Sequence, residues 1–407
     1  MTTRLVRPVQ GPVQGTVIVP GSKSITNRAL LVAALARGRS TLTGALVADD
    51  ATAMIEAVRA LGATVDARDG GRTLVVDGTG GRMPRDAVAL YANQGATVGR
   101  FVSAVAAASP VAITIDADPQ LRARPIKPLF DALRALGASV RDTDGFLPAT
   151  IFGPAKGGSV TVPAGISSQF VSALLLAGPL FPKGVQINLE GERVSEGYVT
   201  MTSDVMARFG IRPALYPATC SVGPGAYKAT DYAVEPDASA ASYFYAAAAM
   251  SGGDVTVAGL EGGSRLQADW RVMEIMSSMG PSLRGVDVDM SDCSDMVPTL
   301  AVVAACGSTP TSIRNVEFIR HKETDRVAVT VRELRRCGVQ VDEHADGMTI
   351  HPGERHGAVI DPEGDHRMAM AFAVLGLVTP GMEVTDAECV AKTFPDFFDV
   401  LDRLTAQ

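Results

Sequence analysis

Hydrophobic and polar positions repeat one phrase six times along the chain. A polar turn enters a stretch of Ala, Leu and Val with almost no polar face, a Gly or Pro breaks it, and β-branched residues then alternate with polar ones. The copies are ALLVAALARGRSTLTGAL from Ala29, FVSAVAAASPVAITI from Phe101, FVSALLLAGPLFPKGVQINLEG from Phe170, YFYAAAAMSGGDVTVAGLEG from Tyr243, TLAVVAACGSTPTSIRNVE from Thr299 and MAFAVLGLVTPGMEVTDAE from Met370. A helix that is apolar all round belongs inside a domain, and the alternating run after it predicts a strand. Each copy is followed by a second, amphipathic helix with Arg, Glu and Asp on one face, as in MIEAVRALGATV and VTVRELRRCGVQV. Five of these second helices end on a glycine, Gly62, Gly137, Gly210, Gly280 or Gly338, in the position of a C-terminal cap.

The unit this spells is β-α-β-α-β-β, with buried helices at the centre and strands around them. The sixth helix pair ends at FFDVLDRL with no strand left. The strand around Val17 to Val19 is therefore expected to complete it, making one domain discontinuous. The expected division is 1–19 with 236–407 in one lobe and 20–235 in the other, three units in each. The interleaved strands weigh against a helical solenoid.

Composition narrows the class. The chain has 407 residues, 46% hydrophobic and 20% charged, with a net charge of −7. That is a soluble globular composition, long enough to divide into two domains. Mild acidity argues against nucleic acid or an anionic membrane as partner, and no segment approaches a membrane span. The five cysteines are scattered and odd in number, as expected of free thiols in a reducing compartment, so a cytoplasmic location is expected. The histidines lack metal-ligand spacing, so no metal site is expected.

The polar turns before the buried helices read SKSITNR, NQGATVGR, ISSQ, DASAAS, SDMVP and DHRMAM. Helix N-termini attract anions, and Lys23, Arg28, Arg100, Arg124, Lys322, Arg326, Arg367 and Lys392 lie in or beside these turns in an acidic chain. A phosphorylated, carboxylated substrate pair is what such a set would bind. Capping alone explains Ser22, Asp237 and Ser239. It does not explain Lys23 and Arg28, two cations at the helix end that disfavours them, nor Asp365, His366 and Arg367 running into an apolar helix.

PGSKSITNRALLVAALA, RPIKPLFDALRALGA, SSQFVSALLLAGPL, PDASAASYF, HKETDR, DHRMAMAF and AKTFPDFF, in that order, resemble the enolpyruvyl transferases, specifically the 5-enolpyruvylshikimate-3-phosphate synthase family, over essentially the whole chain. The resemblance implies an α/β (α+β) fold: a two-lobed inside-out α/β barrel, each lobe three βαβαββ repeats with buried parallel helices, closing on the substrates. It implies a monomeric transferase that moves the carboxyvinyl group of phosphoenolpyruvate to the 5-hydroxyl of shikimate 3-phosphate, with phosphate release and no cofactor. By motif, Ser24, Arg28, Ser167, Ser168, Ser195, Tyr198 and Lys322 would hold this phosphorylated cyclic polyol. Lys23, Gly95, Arg124, Gln169, Arg326, His366, Arg367 and Lys392 would hold phosphoenolpyruvate. Lys23, Asp295 and Glu323 would be catalytic, with Asp295 on the acceptor hydroxyl and Glu323 carrying the proton to and from the methylene carbon.

The sequence departs from the family pattern at the loop Ala92 to Arg100, which has one more residue and Ala96 in place of a hydroxyl. It departs again at Phe318, Lys127, Ser294 and Gly364. Ala96, Phe318 and Lys127 motivate an alternative: an enolpyruvyl-transferase-type enzyme of specialised metabolism acting on a different phosphorylated, hydroxylated acceptor. A UDP-N-acetylglucosamine enolpyruvyl transferase is disfavoured, because DHRMAM and AKTFPDF belong to the shikimate branch. A non-catalytic descendant is disfavoured by Asp295 and Glu323 together.

Overall fold

The computed structural model describes residues 2–406. They form two compact units, Gly21–Glu235 and Met1–Pro20 with Pro236–Gln407.

In the Gly21–Glu235 unit, three all-round apolar helices form the interior: Lys23–Leu35, Ala96–Ala106 and Ser168–Ala177. From Ile25 to Leu35 and from Ala96 to Ala106 every residue is buried. Three four-stranded sheets accompany them. In the second, Val88–Tyr91 pairs in parallel with Ile113–Asp116, which pairs antiparallel with Phe146–Phe152, which pairs antiparallel with Ser139–Thr143. The other two sheets repeat this order. In the first of them the opening strand is Tyr232–Ala233, from the far end of the unit. The amphipathic helices Asp49–Ala60, Lys127–Ala135 and Glu196–Arg208 join the strands. The first two end on Gly62 and Gly137, whose φ values of 102° and 100° only glycine adopts without strain.

The other unit has its own interior helices, Ala238–Ser251, Val297–Ala305 and His366–Gly376. One of its sheets is complete, in the order Asp287–Asp289, Thr311–Arg314, Gly347–His351, Gln340–His344. The other two are smaller, and here the sequence expectation is corrected. The strand near Val17, Gln14–Val17, pairs in parallel with Asp254–Val257 and so opens the fourth repeat. The sixth is completed by Arg4–Leu5, antiparallel to Glu383–Val384. A two-residue strand has no periodicity to read. What holds it is tertiary: the Arg4 guanidinium pairs with Asp402 on the last helix, and the Val6 N–H donates to Met382 O at 2.9 Å.

Both passages between the units place a helix start. The Ser22 N–H donates to Glu235 O, and the Asp237 N–H donates to Pro20 O, each at 2.8 Å. A methyl group on Gly21 would lie 1.8 Å from Gly44 O. Backbone cannot yield as a side-chain tip can, so Gly21→Ala is expected to destabilise by at least about 1–3 kcal/mol and to displace Ser22 and Lys23. An unchanged thermal midpoint would refute this.

Candidate active site

In the Gly21–Glu235 unit the first turns of the three inner helices are knitted together by two arginines. Arg28 on the first helix lies with its guanidinium carbon 5.1 Å from the Phe101 ring of the second and 5.8 Å from the Tyr198 ring. Arg100 on the second donates through Nη1 to Gln169 Oε1 at 2.8 Å, within the third helix, and to Ser167 Oγ at 3.3 Å, just before it. Ser167 Oγ also accepts from the Gln169 N–H and caps that helix.

Arg28 is the odd charge. It is 1% exposed, yet among the described residues it donates only to neutral oxygens: Thr202 Oγ1 at 2.7 Å, Ser24 O at 2.9 Å and Tyr198 O at 3.3 Å. Burial therefore pulls its guanidinium down to about 10, with the Tyr198 phenol working weakly the other way. Thr202 Oγ1 in turn donates to Tyr198 O at 2.8 Å and lies 2.9 Å from Ser172 Oγ, which fixes the angle at which it receives Arg28. A buried cation with no carboxylate is costly unless an anion arrives.

Ser168 and Ser195 are also buried, and Ser195 takes a left-handed conformation, φ 54°, at the start of its helix. Lys23 lies 3.6 Å from the buried Asp50. Asp50 Oδ1 in turn borders Gly95, where an added methyl would come within 3.4 Å of it and 3.0 Å of Ala92 O. Gly95 precedes the second inner helix, and Asn93 in the loop before it takes a left-handed conformation, φ 48°. Arg124 is buried. Lys127, by contrast, is an exposed residue ion-paired with Asp131 on its own helix. Ser22 is not the side-chain cap the sequence suggested: its hydroxyl makes no capping bond, and its carbonyl accepts the Thr26 N–H instead.

The other unit answers with the opposite arrangement. Arg326 is also 1% exposed, but three carboxylates surround it. Nε donates to Asp365 Oδ2 at 2.7 Å, Nη1 to Asp295 Oδ1 at 2.8 Å, and Nη2 to Glu323 Oε2 at 2.7 Å and Asp365 Oδ1 at 3.3 Å. Burial alone would lower its pKa, and Asp365, Glu323 and Asp295 together raise it above the ordinary arginine value. Around this hub each of the two candidate catalytic carboxylates has cations of its own. Lys392 Nζ donates to Glu323 Oε1 at 2.9 Å. Arg367 Nη2 donates to Asp295 Oδ2 at 3.0 Å, and Lys322 Nζ lies 3.4 Å from Asp295 Oδ1 and 5.9 Å from the Phe318 ring centre. Lys392 is buried, so it is no surface lysine. Asp365 Oδ1 accepts the Arg367 N–H at 2.9 Å and lies 3.6 Å from His366 Nδ1, anchoring the third inner helix to the hub.

Sequence reasoning placed Asp295, Lys322, Glu323, Arg326, His366, Arg367 and Lys392 on its candidate list, and the structure gathers all seven in one cluster. It singled out Asp365 and Arg100 without giving either a role, and in the Gly21–Glu235 unit it missed Asp50, Ser172 and Thr202. The signal for Asp365 was a carboxylate directly before an apolar helix. Thr202 and Ser172 carried none, being small hydroxyls on otherwise ordinary helices. Ser239, read as a cap, instead donates to Asp269, while Asp237 Oδ1 takes the Ala240 N–H as a cap does. Cys293 and Cys337 are buried, and burial pushes each thiol up to about 12, so neither is a nucleophile. Among the described residues no group of three His, Cys, Asp or Glu side chains is placed to hold a metal ion.

A family model described as EPSP synthase (3-phosphoshikimate 1-carboxyvinyltransferase) matches residues 8–401. The chain belongs to the EPSP synthase family. Two relatives bear the name 3-phosphoshikimate 1-carboxyvinyltransferase. That of Trichormus variabilis is 41% identical with 100% of each chain covered, and that of Methanosphaerula palustris is 42% identical with 96% of this chain and 97% of the relative covered. The solved EPSP synthase of Acinetobacter baumannii superposes with a TM-score of 0.83 at 26% identity, over 99% of this chain and 98% of that one. The enolpyruvyl transferase NikO of Streptomyces tendae shares the fold, with a TM-score of 0.75 at 18% identity over 98% of this chain and 96% of that one. The α/β fold of paired helices and small sheets is thus that of the EPSP synthases, and the chain is a transferase of that family.

Proposed function

We propose that the protein transfers the enolpyruvyl group of phosphoenolpyruvate to the 5-hydroxyl of shikimate 3-phosphate. The observation that carries the reading is the pair of carboxylates, Asp295 and Glu323, held on one arginine, each with separate cations at its free side. Addition across the double bond of an enol phosphate needs an acid at carbon and a base at the acceptor oxygen, and two carboxylates in different surroundings can divide that work. Glu323 gives a proton to the methylene carbon while the acceptor oxygen, losing its proton to Asp295, bonds to the adjacent carbon. The product of this step is a tetrahedral ketal. Glu323 then takes a methyl proton back as the carbon–oxygen bond to phosphate breaks and inorganic phosphate leaves.

Lys23, Gly95, Arg124, Gln169, His366, Arg367 and Lys392, with Arg326 behind the last two, hold the phosphate and carboxylate of phosphoenolpyruvate, where negative charge collects. The buried Arg28, whose partners are all neutral, receives the acceptor's carboxylate with Ser24 and Tyr198. Ser167, Ser168 and Ser195 take its phosphate, and Lys322 touches its ring hydroxyls. The protein works as a cytoplasmic monomer without a cofactor. No helix among the described residues is long and apolar enough to cross a membrane.

The test is incubation with phosphoenolpyruvate and shikimate 3-phosphate, followed by phosphorus NMR. Inorganic phosphate and the enolpyruvyl ether are expected in equal amounts. Phosphoenolpyruvate binding without turnover would favour the second reading, a different phosphorylated acceptor. Phe318 supports that alternative, since its ring lies near Lys322 and cannot hydrogen-bond a hydroxyl.

A further inference from the structure

Arg28 is held by hydroxyl and backbone groups to which the mechanism above gives no task, and their arrangement decides which edge of its guanidinium is open. Two rings bear on its plane: the guanidinium carbon lies over Phe101 and over Tyr198. Rotation within that plane is set from the Glu196–Arg208 helix. Thr202 Oγ1 takes the Nε hydrogen at 2.7 Å, and Tyr198 O takes one Nη2 hydrogen at 3.3 Å. These two acceptors stand 2.8 Å apart across one helical turn and match the side edge of the guanidinium fork. Nη1 donates to Ser24 O, one turn back on the helix that carries Arg28. Among the described residues these bonds leave one N–H on each Nη, and a carboxylate engages such a pair with both oxygens.

Thr202 is itself oriented by two further oxygens. A hydroxyl has a single hydrogen and accepts through its lone pairs. Tyr198 O at 2.8 Å and Ser172 Oγ at 2.9 Å are both placed to receive that hydrogen. With either partner the hydrogen points away from Arg28, and a lone pair is left to face Nε. Thr202 and Ser172 are fully buried, so solvent does not compete for these bonds. A threonine that bonds a carbonyl of its own helix is common. The bond it accepts from a buried arginine on another helix is not explained by that habit.

We propose that Thr202 is a positioning residue for acceptor binding: its hydroxyl oxygen holds the Nε edge of Arg28, so that the two Nη groups meet the acceptor's carboxylate. The proposal rests on the reading of Arg28 as the partner of that carboxylate. Thr202 acts through the angle of one guanidinium and not by contact with substrate. Without its oxygen the Nε hydrogen is left buried and unmatched, and the guanidinium gains by turning that edge toward another acceptor. The Nη pair then no longer points where the carboxylate arrives.

The test is the steady-state kinetics of Thr202→Val in the full chain. Valine keeps the shape of the side chain and removes the oxygen. The KM for shikimate 3-phosphate is expected to rise about tenfold, the effect of misaligning one charge-assisted bond while the charge stays. The kcat and the KM for phosphoenolpyruvate should stay within about twofold of wild type. Thr202→Ser restores the oxygen and should bring the acceptor KM back to within about twofold. Thr202→Cys, whose thiol accepts poorly, takes the same measurement if the valine variant does not fold. A competitive analogue of shikimate 3-phosphate with hydroxymethyl in place of the carboxylate gives the readout that a merely structural role would not produce. Wild type and Thr202→Val should bind it equally. An unchanged acceptor KM in the folded variant overturns the proposal, as does a rise shared by phosphoenolpyruvate or by the analogue, or a serine variant no better than valine. Arg28→Met separates the two levels. If it leaves the acceptor KM at the wild-type value, the reading of Arg28 fails and this inference with it; if it raises that KM while Thr202→Val does not, this inference alone fails.

Discussion

Glu323→Gln is expected to lower kcat by about 10²–10⁴-fold, the usual contribution of a positioned proton-transfer group, with a much smaller change in the KM for phosphoenolpyruvate. The substitution is nearly isosteric. Arg326 keeps its bidentate Asp365 and its Asp295, so the hub that organises the cluster survives. What is lost is a group able to hand a proton to carbon and take it back. A second readout follows from that role: wild-type enzyme is expected to wash solvent deuterium into the methylene of phosphoenolpyruvate when both substrates are present, and the variant is not. Loss of exchange together with loss of turnover identifies the carbon acid. A kcat within about threefold of wild type would mean that another group protonates the carbon, and Lys23, 3.6 Å from Asp50, would then be the first to test.

The same cluster shows what kind of information the sequence carries. Helices that are apolar all round, glycines at the ends of the amphipathic helices and basic residues beside polar turns are local patterns, and each can be read within a dozen residues. The repeats and the cations of the site were legible for that reason. The Arg4–Leu5 strand was not, since its pairing with Glu383–Val384 is decided almost the full length of the chain away. Nor were the buried partners. Arg28 meets Thr202 across 174 positions, and Arg326 meets Asp365 across 39. Which hydroxyl or carboxylate closes such a network depends on how helices from different repeats stand side by side, and no spacing rule within one repeat contains it.

Arg28→Met is expected to raise the acceptor KM by about 10²–10⁴-fold while leaving the thermal midpoint of the free protein unchanged or higher. The magnitude follows from two charge-assisted hydrogen bonds to a carboxylate at about 1.5–3 kcal/mol each. The stability claim follows from the neighbours. Arg28 has no carboxylate to leave behind, and Thr202 retains Tyr198 O and Ser172 Oγ as partners. With its guanidinium held at about 10, below the ordinary arginine value, the folded state carries the cost of an uncompensated cation at every pH below about 10, and the cost is relieved as pH rises through it. Removing the charge removes the cost. Arg326 is the control: Arg326→Met would strand three carboxylates and should destabilise by about 3–5 kcal/mol, the penalty for breaking a buried ion pair from one side. Shikimate 3-phosphate should accordingly raise the melting temperature of wild-type protein and fail to do so for Arg28→Met. A variant that melts well below wild type yet binds the acceptor normally would show that Arg28 is a structural cation, and the acceptor's carboxylate would have to be sought elsewhere.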